Sequence, residues 1–177
     1  SDTRVSISLD NGKKADAQLI VGADGRNSIV RKSAGIRTKE KDYKQTAITC
    51  ALEHTHDHNF VSTEFHKPGG PFTLVPLPGK KSSLVWVEKE HEAKEILKLT
   101  KAQFINKLQV LTQGIVGTVS LAEGPDQQPL KLLRANNITS LRTVLIAEAA
   151  HVVSPIGAQG LNMSLSDIKA LIETLYK

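Results

Sequence analysis

A chain of 177 residues, 40% apolar, 23% charged and with one cysteine, is long enough for one compact domain or two small ones. No apolar run nears the ~20 residues of a membrane-spanning helix, and a lone Cys50 closes no internal disulfide, so a helical membrane span and a disulfide-stapled scaffold are both excluded. The 23 basic residues outnumber the 18 acidic ones, for a net charge of +5, but they are dispersed among acids with few aromatics nearby, which argues against a nucleic-acid surface.

Val5, Ile7 and Leu9 alternate with polar residues, the period of a half-buried strand, and Asp10-Asn11-Gly12 supplies a turn. Residues 17–21 include Leu19-Ile20-Val21 without alternation, as in a strand covered on both faces, and stop at Gly22-Ala23-Asp24-Gly25. Residues 28–31 read as a short helix before Gly35. From Tyr43 the texture turns to β, with strands predicted over 45–52, 59–65, 72–76 and 82–87 and Gly/Pro turns between them. A charged helix over 90–99 precedes a second helix with Thr100 as N-cap, which sets Phe104, Ile105, Leu108 and Leu111 on one face before Gly114. Strands are predicted over 116–121 and 128–133, with Glu123-Gly124-Pro125-Asp126 as the turn between them. Residues 144–146 form a short buried strand, and the loop 148–159 follows. A helix then runs from about Gly160, with Leu161, Leu165, Ile168, Ile172 and Leu175 at spacings of 4, 3, 4 and 3. Two α/β segments, 1–42 and 134–177, thus flank a β-rich segment, 43–133.

Two loops are candidates for chemistry. In the first, glycines around Asp24 allow a ligand to approach the backbone, and the carboxylate can accept from a sugar hydroxyl. The same residues also suit a plain strand-to-helix turn in which Asp24 bonds nearby N–H groups. The second loop, residues 151–162, joins a buried strand to the most periodic helix, where unpaired N–H groups and the positive end of the helix dipole converge. That suits an anion or an electron-rich ring edge, or else it is an ordinary glycine-rich helix entry. Elsewhere, His54, His56 and His58 alternate around Asp57; alternate strand residues alone seldom close a zinc shell, so they read as a solvated strand end. Trp86 fits a core or a substrate cavity equally, Cys50 a buried hydrophobe, and residues 89–101 a solvated helix face.

Asp16 to Arg31 contains Val21-Gly22-Ala23-Asp24-Gly25-Arg26-Asn27-Ser28-Ile29-Val30-Arg31, and the later segment contains Ala147-Glu148-Ala149-Ala150-His151 followed by Pro155, Gly160, Asn162 and Asp167. In order and spacing these resemble the two later motifs of the flavin-dependent aromatic hydroxylases, the p-hydroxybenzoate hydroxylase group. Residues 70–78 and Ser83-Leu84-Val85-Trp86 look most like its ubiquinone-biosynthesis branch. Two positions depart from the pattern: Ala147-Glu148 stands for the usual Gly-Asp, and Gly157-Ala158 for the Ala-Gly common in that branch.

The resemblance implies a mixed α+β/α/β architecture of the p-hydroxybenzoate hydroxylase-like kind. It comprises a partial FAD-binding α/β domain from 1–42 and 134–177, and a β-sheet substrate domain over 43–133 with helices on one face. The family's first motif, G-x-G-x-x-G, does not occur, so the chain is expected to be an internal fragment that on its own neither binds FAD usefully nor catalyses. The parent activity implied is FAD-dependent monooxygenation of an aromatic ring, of which a polyprenylated phenol is the expected example, with NAD(P)H as reductant. Asp24, Gly25 and Glu148 would face the ribityl–pyrophosphate region, with Ser28 and Arg31 fixing the first loop. His151, Gly157, Ala158, Gln159, Gly160, Leu161 and Asn162 would surround the flavin, most of them through backbone N–H groups at its pyrimidine edge. The Pro155 carbonyl would face the substrate hydroxyl, and no side chain is singled out as general base. A cytoplasmic location with peripheral membrane or biosynthetic-complex association completes the expectation. The rival reading, a non-catalytic basic binding module, differs from it in holding no flavin.

Overall fold

The hairpin of β1 (Val5–Ser8) and β2 (Lys14–Ala17) turns where the sequence expects, with Gly12 at φ +77° and Asn11 Oδ1 accepting from the Lys13 N–H at 3.1 Å. The second strand of this hairpin, Lys-Ala-Asp-Ala, alternates only alanine with charged residues, a weak strand signal, and was not expected to be a strand. In the computed structural model, which describes residues 3–154 and 159–176, the hairpin belongs to one of two compact units: Ser1–Asp42 with Lys131–Lys177, and Tyr43–Leu130.

In the first unit β3 (Ile20–Gly22) runs parallel to β10 (Thr143–Leu145), which pairs antiparallel with β9 (Thr139–Ser140). Val21 is 41% exposed, so the expected covering of this strand on both faces is not met within the chain. Helix α1 (Ile29–Ser33) follows β3. A 3-10 turn (Ala147–Ala149) and β11 (His151–Val152) follow β10, and α4 (Gln159–Leu175) closes the unit. Its small core is Ala135, Leu145, Ala149 and Ala150, with Val30 and Ile36 against it. Gly22 belongs to that packing: a Cβ there would lie 2.7 Å from Leu145 Cδ2 and 3.0 Å from Val30 Cγ1. The apolar stripe of α4 forms as spaced, yet its five side chains, Leu161, Leu165, Ile168, Ile172 and Leu175, are 40–70% exposed.

The second unit is built on a sheet in the order β8-β4-β7-β6-β5, from β4 (Thr38–His54), β5 (Thr63–Lys67), β6 (Gly70–Leu77), β7 (Lys81–Lys89) and β8 (Val119–Ala135). The last residues of β8, in the first unit, also pair with β11. Helices α2 (Glu90–Leu97) and α3 (Lys101–Leu111) follow β7. The core joins Ile48, Leu52, Phe72, Leu84 and Trp86 of the sheet to Phe104 and Leu108 of α3, each such side chain contributing about 1.5–3 kcal/mol by burial. Phe65, Phe72, Trp86 and Phe104 form a chain of ring contacts with centroids 5.7–6.3 Å apart. Trp86, fully buried, is therefore core.

Three sequence expectations fail here for identifiable reasons. Residues 119–135 form one continuous strand, not two around a turn; Gly124, at φ +86°, presses its backbone against β4, where a Cβ would stand 3.0 Å from Cys50 Cβ and from the Thr49 carbonyl. The strand predicted from residue 59 starts at Thr63, because Asn59 and Phe60 take φ values of 50° and 58°. His54 and His58 are held by hydrogen bonds rather than solvated, and only His56 of the three is exposed as expected. The His54 Nδ1–H donates to the His56 carbonyl at 2.8 Å, and the Ser82 hydroxyl donates to Nε2 at 3.0 Å; the His58 Nε2–H donates to the Leu77 carbonyl at 3.0 Å. Among the described residues no group of His, Cys, Asp and Glu could hold a metal ion. Nor is any described helix long and apolar enough to cross a membrane.

Candidate cofactor loops

Both candidate loops lie in the first unit. In the first, Asp24 turns its carboxylate onto the start of α1: Oδ1 accepts from the Ser28 hydroxyl, and Oδ2 from the Ile29 and Val30 N–H groups at 2.7 and 3.1 Å. Burial pushes the Asp24 carboxyl up, but the Ser28 hydroxyl and these N–H groups outweigh it and hold it below the ordinary aspartate value. Ser28 is fully buried and is the N-cap, accepting from the Arg31 N–H at 2.9 Å. Gly25 sits at φ +79°, a conformation that favours glycine, and a Cβ there would meet nothing within 4 Å.

Arg31 joins the two loops. It is 4% exposed; Nη1 donates to the Ala149 carbonyl at 2.8 Å and Nη2 to the Arg26 carbonyl at 2.7 Å. Ser28 and Arg31 therefore fix the loops from within. The outer face carries Arg26 and Glu148, with Nε 3.7 Å from Oε2 and the side chains 45% and 52% exposed, so each loop contributes one charge to the same spot.

The second loop starts in a strained turn. Ala147, where the resembled family has glycine, takes φ +52°. Its N–H donates to Asp167 Oδ2 at 2.8 Å, and the His151 Nε2–H donates to the same oxygen at 2.7 Å. The Nε2 of His151 thereby carries a proton. His151 also lines an apolar cleft of about 680 Å³ between residues 132–139, 150–153 and Met163. Pro155, Gly157 and Ala158 lie outside the described residues. Gln159, Gly160, Leu161 and Asn162 form the exposed first turn of α4, which carries no acidic residue. Gly160 has no positive φ, and a Cβ there would meet nothing within 4 Å, so neither backbone nor packing within the chain demands glycine at this position.

Sequence reasoning missed Arg26 as a loop partner, the left-handed Ala147 and the bridging role of Asp167. The only signals for the last two were a glycine replaced by alanine and an aspartate spaced along the later motif. Arg26 carried no signal at all.

Known proteins share the family and the fold. The profile of the FAD binding domain family matches residues 2–177. The ubiquinone hydroxylase UbiL of Rhodospirillum rubrum is 38% identical over 171 residues, covering 97% of this chain and 40% of that protein. The ubiquinone biosynthesis monooxygenase COQ6 of Danio rerio is 30% identical over 205 residues, covering 97% and 42%. The chain thus spans about two-fifths of the length of the curated relatives it matches. In fold it is similar to Pseudomonas aeruginosa PqsL, a probable FAD-dependent monooxygenase, with a TM-score of 0.77 at 21% identity over 96% of this chain and 49% of that one. A PqsL complex with 2-aminobenzoylacetate gives 0.79 at 20%, over 96% and 48%. The expected p-hydroxybenzoate hydroxylase-like architecture is therefore the one observed, and the chain belongs to the FAD binding domain family.

Proposed function

We propose that this chain supplies the flavin-ring half of an FAD site, and that the whole protein hydroxylates an aromatic ring, a prenylated phenol by analogy with the ubiquinone hydroxylases it resembles. The observation that carries the reading is Arg31, buried and bonded to the carbonyls of both Arg26 and Ala149, because it holds the two motif loops together around a face that its own bonds leave open. The donor set fits the cofactor. The first turn of α4 offers N–H groups with no acid to compete for them, and at Gly160 the backbone is open to a planar ring. Bound there, FAD would supply the electron and oxygen chemistry, with NAD(P)H as the reductant.

The remaining work belongs to the chain. Gln159 to Asn162, in the first turn of α4, would hold the pyrimidine edge through backbone N–H groups and stabilise negative charge on the reduced ring. Asp24, held low in pKa by the bonds it accepts from Ser28 and the start of α1, braces the turn in which the Ser28 N–H donates to the Gly25 carbonyl, while Glu148 offers an exposed carboxylate to a ribityl hydroxyl. By the resemblance, the Pro155 carbonyl, outside the described residues, would face the substrate hydroxyl. A protein of the relatives' full length should purify yellow, with about one FAD per chain, and should consume NADH or NADPH and O2 in step with a hydroxylated phenol. A colourless protein that binds oligonucleotides in a salt-sensitive way would replace this reading with the basic binding module.

Glu148→Ala should weaken FAD binding by about 1.5–3 kcal/mol, the range for a charge-assisted hydrogen bond, and Glu148→Asp should be nearly neutral. Fluorescence titration with FAD checks both, and no loss on truncation to alanine would remove Glu148 from the site.

A further inference from the structure

Asp167 stands midway along α4 with its side chain 29% exposed, facing the turn that precedes the cofactor loop. Its Oδ2 alone accepts two hydrogen bonds, from the Ala147 N–H at 2.8 Å and from the His151 Nε2–H at 2.7 Å. The first bond holds a residue with a Cβ in the left-handed region, φ +52°, which an alanine adopts only when its surroundings impose it. The second fixes the imidazole tautomer, since a carboxylate accepts and cannot donate. Both donors come from the segment just before the cofactor loop, and the acceptor comes from the helix just after it. These two bonds therefore set where the first turn of α4 stands relative to Glu148.

We propose that Asp167 is a positioning residue for the flavin: it touches no part of the cofactor, yet FAD is retained only while its side-chain oxygen holds both the Ala147 turn and the Nε2–H tautomer of His151. This rests on the flavin reading above. The two bonds share one acceptor oxygen, so what matters is whether position 167 keeps such an oxygen. Asp167→Ala removes both. Asp167→Asn keeps a carbonyl oxygen that can accept both the Ala147 N–H and the His151 Nε2–H, as Oδ2 does.

The test uses the full-length protein with two readouts: FAD affinity by fluorescence titration, and the His151 tautomer by long-range nitrogen–proton NMR. Wild type should show Nε2–H. Asp167→Asn should keep the Nε2–H tautomer and bind FAD within about threefold of wild type, with a melting temperature within a few degrees. Asp167→Ala should weaken FAD at least tenfold, and adding Ala147→Gly should restore part of that loss, because glycine holds the turn unaided. FAD affinity within twofold of wild type in Asp167→Ala, or an Asp167→Asn variant as weak as Asp167→Ala, would overturn the proposal. If Asp167→Ala fails to fold, the Asp167→Ala/Ala147→Gly double variant decides: with the His151 bond still lost it should bind FAD more weakly than wild type, and wild-type affinity would overturn the proposal. A wild-type protein that shows the Nε2–H tautomer but binds no FAD would instead contradict the flavin reading.

Discussion

At the scale of single residues, two positions hold energy that composition does not reveal. Glu88 is 6% exposed in β7, and its Oε1 accepts from Lys67 Nζ at 2.6 Å and from Trp86 Nε1 at 2.9 Å, with the ammonium 4.9 Å from the indole centre. Burial alone would raise the Glu88 carboxyl, but the hydrogen bonds from Lys67 and Trp86 prevail and hold it below the ordinary glutamate value. A carboxyl whose folded value is lowered stabilises the protein above its unfolded value, and that stabilisation is lost as pH falls through the folded value. Urea midpoints should therefore fall in acid, and Glu88→Gln should flatten that slope. Lys67→Met, which strands the carboxylate, should cost about 3 kcal/mol. Ala147 carries the opposite kind of term. Glycine substitution usually destabilises, but here it relieves a left-handed residue, so Ala147→Gly should raise stability by up to about 1 kcal/mol in urea unfolding. A loss of that size would show that the turn is not strained.

At the scale of elements, helix α3 was fully legible. Thr100 accepts from the Gln103 N–H at 3.3 Å and Gln103 Oε1 accepts from the Thr100 N–H at 3.0 Å, a complete capping box, while Phe104 and Leu108 are buried as their spacing demands. Thr100→Ala should cost about 1 kcal/mol, measurable by chemical denaturation. Strand β8 was not legible. Gly124-Pro125 reads as a reversal by local rules, and only the close fit of Gly124 against Cys50 and Thr49 of β4 shows that the chain runs straight on. Gly124→Ala should destabilise by about 2 kcal/mol, because its φ of +86° and the contact with β4 both penalise a Cβ. The candidate site divides in the same way. Asp24 and Ser28 follow from the local grammar of a helix start. Arg31 binding Ala149, and Asp167 binding Ala147, are long-range pairings that no window of sequence displays.

At the scale of the whole molecule, stability and function fall in different places. The second unit owns the large core, with Trp86, Phe72, Ile48, Leu52 and Leu84 fully buried, whereas the first has a small alanine-rich core and keeps the α4 stripe in solvent. Hydrogen exchange should therefore protect amides of β4 and β7 most strongly and those of the β1–β2 hairpin and α4 weakly; equal protection would contradict this division. The candidate cofactor loops sit in the less protected unit. The position that most directly tests the flavin assignment is Gly160, where nothing within the chain resists a side chain and any helical residue should be tolerated or stabilising by up to about 1 kcal/mol. The deciding measurement is the FAD content per chain of the full-length protein carrying Gly160→Val, beside its thermal melting curve. The expected result is an unchanged or higher melting temperature of the FAD-free protein with FAD content reduced to near zero, and a variant that keeps one FAD per chain would contradict the placement of the flavin at this loop.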